Sequence, residues 1–376
     1  MKNGPLIRQP YSAEELAELS TYVCSKTIFD TPEIELTPDL FCQPIDIGID
    51  LEGDTTADIP NMDNYPMRSP VNAIAHIKEL LSLGITSVMV RMDSPNGYTS
   101  KVELLKRQAR IIKDIRTAYP LLNVIVDPFS VALNSDKTWG VINNGKLDYM
   151  LTIELFSAIT TAFVDAGASY VLTLGRFERE VDVTKRTIKL VAGDTKVSSF
   201  STNTETTNAY VYSDHGAYAI TKQKILVSNY HEMVFRAIID IYEGSELVVV
   251  KPAENLHILE KLKTIIQHAE LLTEFLDSSY VKAIAKKSSY LKEVRQAILA
   301  DRQKFMRQAQ KTRLAAYTVS GTYFQDMQTF KRKGGYFLAS LLYERYSNIA
   351  GVLHATKGNG LIIDRNAYWF FAHSDK

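Results

Sequence analysis

In the stretch "ELVVVK", Glu246 to Lys251, apolar residues run straight into a lysine, and Pro252 follows at once. An amine placed where a buried strand ends is partly shielded from water, and shielding disfavours its cation. A neutral amine can attack a ketone and close an imine. The same pattern arises when a lysine snorkels its charge back to water, or pairs with a carboxylate such as Glu246. The residues alone leave these readings open. Asp127 in "NVIVD" and Arg91 in "SVMVR" also end apolar runs, as a structural ion pair or as groups that orient an amine and its substrate. The seven histidines show no HxH or HExxH spacing. His215, in "SDHGA", reads as an exposed loop histidine or as an acid–base group working near neutral pH. "KGNG", Lys357 to Gly360, lacks the helix and Ser/Thr of a phosphate loop and reads as a turn.

These residues need a scaffold that gathers strand ends. Short apolar runs at Ser87–Arg91, Asn123–Asp127, Tyr170–Gly175, Glu246–Lys251 and Ala315–Val319 alternate with segments of helical spacing, two of which close on a glycine. Such runs mark strands buried on both faces, as in parallel sheets. The alternation gives a doubly wound sheet or a (β/α)8 barrel, and with no GxGxxG after an early strand the barrel is preferred. The predicted class is α/β: a (β/α)8 TIM barrel over 61–376, with an extended N-terminal arm over 1–60 and a long helical insertion at about 259–311. That insertion has no Gly or Pro, and its lysines line a solvated face or an oligomer contact. In a barrel, active sites collect at the C-terminal strand ends, where Lys251 falls.

Lys plus Arg and Asp plus Glu number 43 each, so the chain carries no net charge at pH 7. No field favours nucleic acid or an anionic membrane. Cys24 and Cys42 lack CxxC spacing, against a disulfide scaffold or structural zinc site. No apolar run approaches the roughly 18 residues of a membrane span, and the polar start has no signal-peptide core. A cytoplasmic protein with a small-molecule substrate is expected.

The stretch "DIYEGSELVVVKPAENLHILEKLK" resembles the porphobilinogen synthase (5-aminolevulinate dehydratase) family, where an acidic turn leads into the strand of a Schiff-base lysine and a proline. "LTPDLFCQPIDI", "PNMDNYPMRSPVNAIAHIKELLSLGITSVMVR", "LNVIVDPFSVAL", "AFVDAGASYVLTLGRFEREV", "SSFSTNTETTNAYVYSDHGA" and "RLAAYTVSGTYFQDM" agree in order. The resemblance implies a barrel whose N-terminal arm embraces a neighbouring subunit, hence a homo-oligomer. It implies that Lys251 bonds the second-entering substrate, that Ser320 binds a substrate carboxylate, and that Tyr323 packs or lines the site. The segment "LIIDR" puts Arg365 where the family has a carboxylate-binding tyrosine, with "GVLHATKGNG" as a rival register.

Elsewhere this chain departs from the family. Asn203 stands where the other Schiff-base lysine is expected, and Asn cannot form an imine. Lys196, Lys222 or Lys224 are the candidates to replace it. Lys224 also matches a lid glutamine that helps hold a carboxylate, and Ser213 matches a basic residue. Gly175 replaces an aspartate, with Glu178 standing for a later one. The family's zinc cysteines are missing after Asp127, and Asp136 is a poor remnant of the magnesium-type version. No metal or other cofactor is expected. The expectation is a Schiff-base lyase acting on a keto acid or amino ketone, Lys251 bonding the substrate and Asp127 or Glu178 shuttling protons. Alternatives are a true porphobilinogen synthase with a relocated lysine, and a catalytically silent homologue retained for binding or assembly.

Overall fold

The computed structural model describes residues 11–15, 17, 33–94, 97, 100–136, 138–204, 225–354 and 360–373. The chain divides into two compact units, Met1–Glu35 and Leu36–Lys376. In the first, the Glu15 N–H donates to Ser12 Oγ (3.1 Å) and the Ser12 N–H to Glu15 Oε2 (2.7 Å), a capping box.

The second unit is a closed barrel. Its strands are β1 (Phe41–Gly48), β2 (Ser87–Asp93), β3 (Asn123–Val126), β4 (Tyr170–Thr173), β5 (Lys196–Ser199), β6 (Leu247–Val250), β7 (Arg313–Tyr317) and β8 (Leu361–Ile363). Each pairs in parallel with the next, and β8 returns to β1 through Phe41↔Ile362 and Cys42↔Ile363. The apolar runs explain the closure. Every residue of β6 is at most 1% exposed, and each such side chain contributes roughly 1.5–3 kcal/mol on burial.

The seam between β1 and β8 is short. β1 pairs with β2 over seven residues, Cys42↔Ser87 to Gly48↔Asp93, but with β8 over only two. Higher on the same edge, a small hairpin of Thr56–Ala57 and Met67–Arg68 takes over, with Arg68 opposite Ile47. Gln43 bridges the interval: its Nε2 donates to Arg365 O (2.9 Å) and its Oε1 accepts the Tyr368 N–H (2.9 Å).

Helices α1 (Pro70–Ser82), α2 (Lys101–Ala118), α3 (Tyr149–Asp165), α4 (Glu180–Leu190), α5 (Tyr230–Glu243) and α6 (Leu256–Gln267) alternate with the strands. Their starts are written in the sequence. Ser69, Ser100 and Asp148 accept from the N–H groups of Asn72, Glu103 and Leu151, as N-caps do. Gly84 and Gly167, just past α1 and α3, hold φ of +85° and +88°, a conformation glycine reaches without the Cβ penalty.

One predicted boundary is corrected. The compact unit begins at Leu36 and β1 at Phe41, so residues 36–60 are barrel, not arm; charges within "QPIDIGID" hid the strand. Residues 259–311 are helical, as the sequence predicts, and divide into several short helices. α6 completes the sixth βα unit, and α7 (Ala269–Asp277), α8 (Ser279–Ala285), α9 (Ser289–Ala300) and α10 (Arg302–Ala309) follow before β7. Caps cut the stretch: Ser278, Ser288 and Asp301 accept from the N–H groups of Val281, Leu291 and Lys304. Asp301→Ala removes such a cap and is expected to cost about 1 kcal/mol in urea unfolding. α11 (Ser320–Lys333), α12 (Gly335–His354) and α13 (Ala367–His373) complete the unit.

A candidate active site at the barrel mouth

Lys251 lies one residue past β6. Its N–H donates to Thr202 O (3.0 Å) and its carbonyl accepts the Thr204 N–H (3.1 Å), which seats it beside Asn203. The residue is 8% exposed. Its Nζ stands 5.2 Å from the Phe200 ring centre and 5.7 Å from that of Tyr317, within cation–π range. Among the described residues it forms no ion pair. Glu246, the suggested partner, sits at the far end of the strand, where it binds Lys185 and accepts the Val197 N–H (2.8 Å). Among the described residues, the lysine is therefore neither out in solvent nor locked to a carboxylate.

Beside it the ends of β1, β2 and β3 converge. Arg91 Nη1 is 3.2 Å from Asp46 Oδ1, and its Nε is 3.7 Å from Asp127 Oδ2. Asp127 Oδ1 also accepts the Phe129 N–H (2.9 Å). Burial raises the Asp127 pKa, while the positive charges of Arg91 and Lys251 oppose that shift. A carboxyl with raised pKa, close enough to feel the lysine's charge, is suited to passing protons.

Across the mouth, Arg365 follows β8 and is 4% exposed. Its guanidinium carbon lies 5.3 Å from the Tyr65 ring centre and 5.6 Å from that of Tyr317, so Tyr317 touches both Arg365 and Lys251. The strand is "LII"; residues 351–354 of the rival segment are the end of α12. Ser320 is buried as the first residue of α11, a position that favours anions. Tyr323 is buried, with its hydroxyl donating to Asp63 O (2.7 Å) and its ring 5.6 Å from that of Tyr65.

Asn203 is buried next to Lys251. Glu178 is exposed, its carbonyl accepting the Tyr149 hydroxyl (2.8 Å), and the inward carboxylate of that loop is Glu180. Lys196 is exposed at the start of β5, the end of the barrel opposite Lys251, so it cannot serve as a second amine there. His215, Lys222, Lys224, Ser213 and most of "KGNG" lie outside the described residues. Sequence reasoning missed Asp46, Tyr65, Phe200 and Tyr317. The alternation in "PIDIGID" was the available signal for Asp46.

A second cluster sits behind β4 and β5. Glu180 accepts the N–H groups of Leu174 and Arg176 (2.6 Å each), Asp240 bonds Ser201, and Glu243 bonds Tyr290 and accepts the Asp182 N–H (3.0 Å). Burial pushes the pKa of Glu180 to about 7, of Asp240 to about 6 and of Glu243 to about 8, the last also raised by Asp240. The folded chain thus holds protons that the unfolded chain has released, so stability is present at low pH and lost as pH climbs from about 4.5 to about 8. Glu243→Gln is expected to raise the melting temperature at pH 8.5, with little change at pH 5. Thermal scans across that range check it.

The family resemblance raises the question of a metal after β3. The donors there do not suit one. Asp127 is committed to Arg91 and the Phe129 N–H. Asn134 Oδ1 receives the Lys101 ammonium at 2.6 Å, and Asp136 accepts from the Thr138 N–H and hydroxyl. The Lys101 ammonium already occupies Asn134 Oδ1 and the Ala132 carbonyl (3.3 Å), and this stretch has no cysteine to supply a thiolate.

A closed barrel of eight parallel strands, with a shielded lysine just past its sixth strand, defines a (β/α)8 protein whose candidate site opens at the C-terminal strand ends. The family model described as delta-aminolevulinic acid dehydratase matches residues 30–273, and the chain belongs to that family. Among solved structures, the fold is similar to delta-aminolevulinic acid dehydratase (porphobilinogen synthase) from Toxoplasma gondii ME49 in complex with the reaction product porphobilinogen. That similarity has a TM-score of 0.66 and 16% identity, over 98% of this chain and 92% of the other. No curated protein matches the sequence. No helix among the described residues is long and apolar enough to cross a membrane.

Proposed function

We propose that the protein is a Schiff-base lyase that condenses or dehydrates a keto acid or amino ketone, with a substrate different from that of the ordinary family enzyme. The observation that carries this reading is Lys251: shielded at the barrel mouth, without an ion-pair partner among the described residues, and set between two aromatic faces. The neutral amine adds to the carbonyl carbon, and the carbinolamine loses its oxygen as water when a proton is delivered, leaving an iminium. The iminium keeps the positive charge of the ammonium, so the faces of Phe200 and Tyr317 that hold one hold the other. Its positive nitrogen acidifies the neighbouring C–H, and loss of that proton gives an enamine that can form a new carbon–carbon bond.

Asp127 is assigned the proton transfers, as it lies near enough to Lys251 for the positive charge of the lysine to act on its carboxyl. Glu178, exposed on its loop, is not. Arg365 and Ser320 receive the substrate carboxylate, bidentately in the case of the arginine. The separate N-terminal unit, residues 1–35, is assigned to contact with a second copy of the chain. With Asn203 beside Lys251 and Lys196 at the other end of the barrel, only one of these positions supplies an amine. Conversion of 5-aminolevulinate to a pyrrole, read with Ehrlich reagent, is therefore expected to be absent or very weak. Incubation with 5-aminolevulinate or simple keto acids followed by borohydride is expected to add one substrate residue per chain to the intact mass. No adduct with any of them would count against the proposal.

A further inference from the structure

The interval between β1 and β8 opens into a cleft of about 230 Å³, room for roughly seven or eight water-sized groups. Arg365 lines it on the side of the barrel mouth, and Asp46, Tyr65, Arg68, His76 and Tyr368 are among its other walls. Arg68 is half-buried on the hairpin strand opposite Ile47. Its Nη1 donates to Asn72 Oδ1 (2.6 Å), and among the described residues it forms no ion pair. The nearest acid on α1, Glu79, is turned to His76 at 3.0 Å, and Asp54 accepts from Asn72 instead. A guanidinium has five N–H donors in a planar fork, so most of this one is left for an anion. The Tyr65 hydroxyl, in a residue 7% exposed, has no hydrogen-bond partner among the described residues, and its ring lies against Arg365.

We infer that this cleft seats a second acidic group of the substrate, held by Arg68 and the Tyr65 hydroxyl, so that the preferred substrate is a keto diacid and not a keto mono-acid. The inference rests on the imine reading for its ketone, which is bonded at Lys251. Arg365 takes the carboxylate nearer the mouth and Arg68 the farther one. Arg68 and Arg365 both line this cleft, with Asp46 also on its wall, so a ligand with two acids meets a guanidinium with each, whereas a mono-acid leaves one of the two unused.

Reductive trapping with 4-oxopentanoate and with 4-oxoheptanedioate compares one acid with two on the same ketone. The expected result is half-saturation at an about tenfold lower concentration for the diacid, with that ratio falling to near one in Arg68→Met and recovering in part in Arg68→Lys. Equal saturation in the unaltered protein, or an Arg68→Met change that shifts both ligands alike, overturns the inference. Sodium acetate added with the mono-acid is expected to give no gain; a gain would assign Arg68 to a separate anion and overturn it too. Calorimetry of heptanedioate, which has no ketone, with Lys251→Met protein separates the two ideas. Arg68-dependent binding there sustains the cleft even if no keto acid is ever trapped, whereas no binding rejects the cleft while leaving the imine reading standing.

Discussion

Replacing Lys251 by alanine is expected to abolish borohydride-trapped adducts and to lower turnover of any accepted keto substrate on the order of 10³-fold or more, as loss of a covalent nucleophile does. The fold is expected to survive. The ammonium is bound by no carboxylate among the described residues, and its backbone bonds to Thr202 and Thr204 do not involve the side chain. Removal leaves a gap between Phe200 and Tyr317, so Lys251→Met, which fills most of it, is the companion variant. Both are expected to keep the circular dichroism spectrum of the parent. If Lys251→Met retained full turnover, the lysine would be a packing residue. A protein retained only for assembly would be indifferent to the change.

The second large effect lies in stability. Arg345 of α12 grips Asp326 of α11 with two bonds of 2.7 Å, and Asp326 is 1% exposed. Asn366 Nδ2 donates to the same carboxylate (2.9 Å), and the Asn366 N–H donates to Asp364 Oδ1 (2.6 Å). This chain of bonds fixes the turn after β8 that carries Arg365. Arg345→Met strands a buried carboxylate and is expected to destabilise the protein by roughly 3–5 kcal/mol, measured by urea unfolding. Adding Asp326→Leu is expected to restore much of that loss, because an apolar pair can replace a buried ion pair at little net cost. A loss below about 1 kcal/mol in the single variant would show that water reaches the pair.

Much of the barrel could be read from the chain, for a definite reason. β2, β3, β4, β6 and β7 are buried on both faces and so appear as apolar runs. Gln43 and Asp46 interrupt the apolar run of β1, so its sequence does not stand out as a strand, and Asp46 is accommodated by Arg91, which faces it across the register. β5 carries Ser198 and Ser199, both fully buried, and β8 has only three residues; those two were reached through resemblance and not through periodicity. Lys251 stood out because a cation closing an apolar run is conspicuous. Tyr65 and Arg68 did not, since only the hairpin crossing the seam brings them to Arg365, and nothing local in "DNYPMRS" announces that crossing.

The most direct measurement is the location of the bond. After reduction of the protein with a keto acid present, proteolysis and peptide mass mapping are expected to find the added mass on the peptide containing Lys251 and on that residue alone. Modification at another lysine with Lys251 untouched, or none with any keto acid tried, would contradict the account.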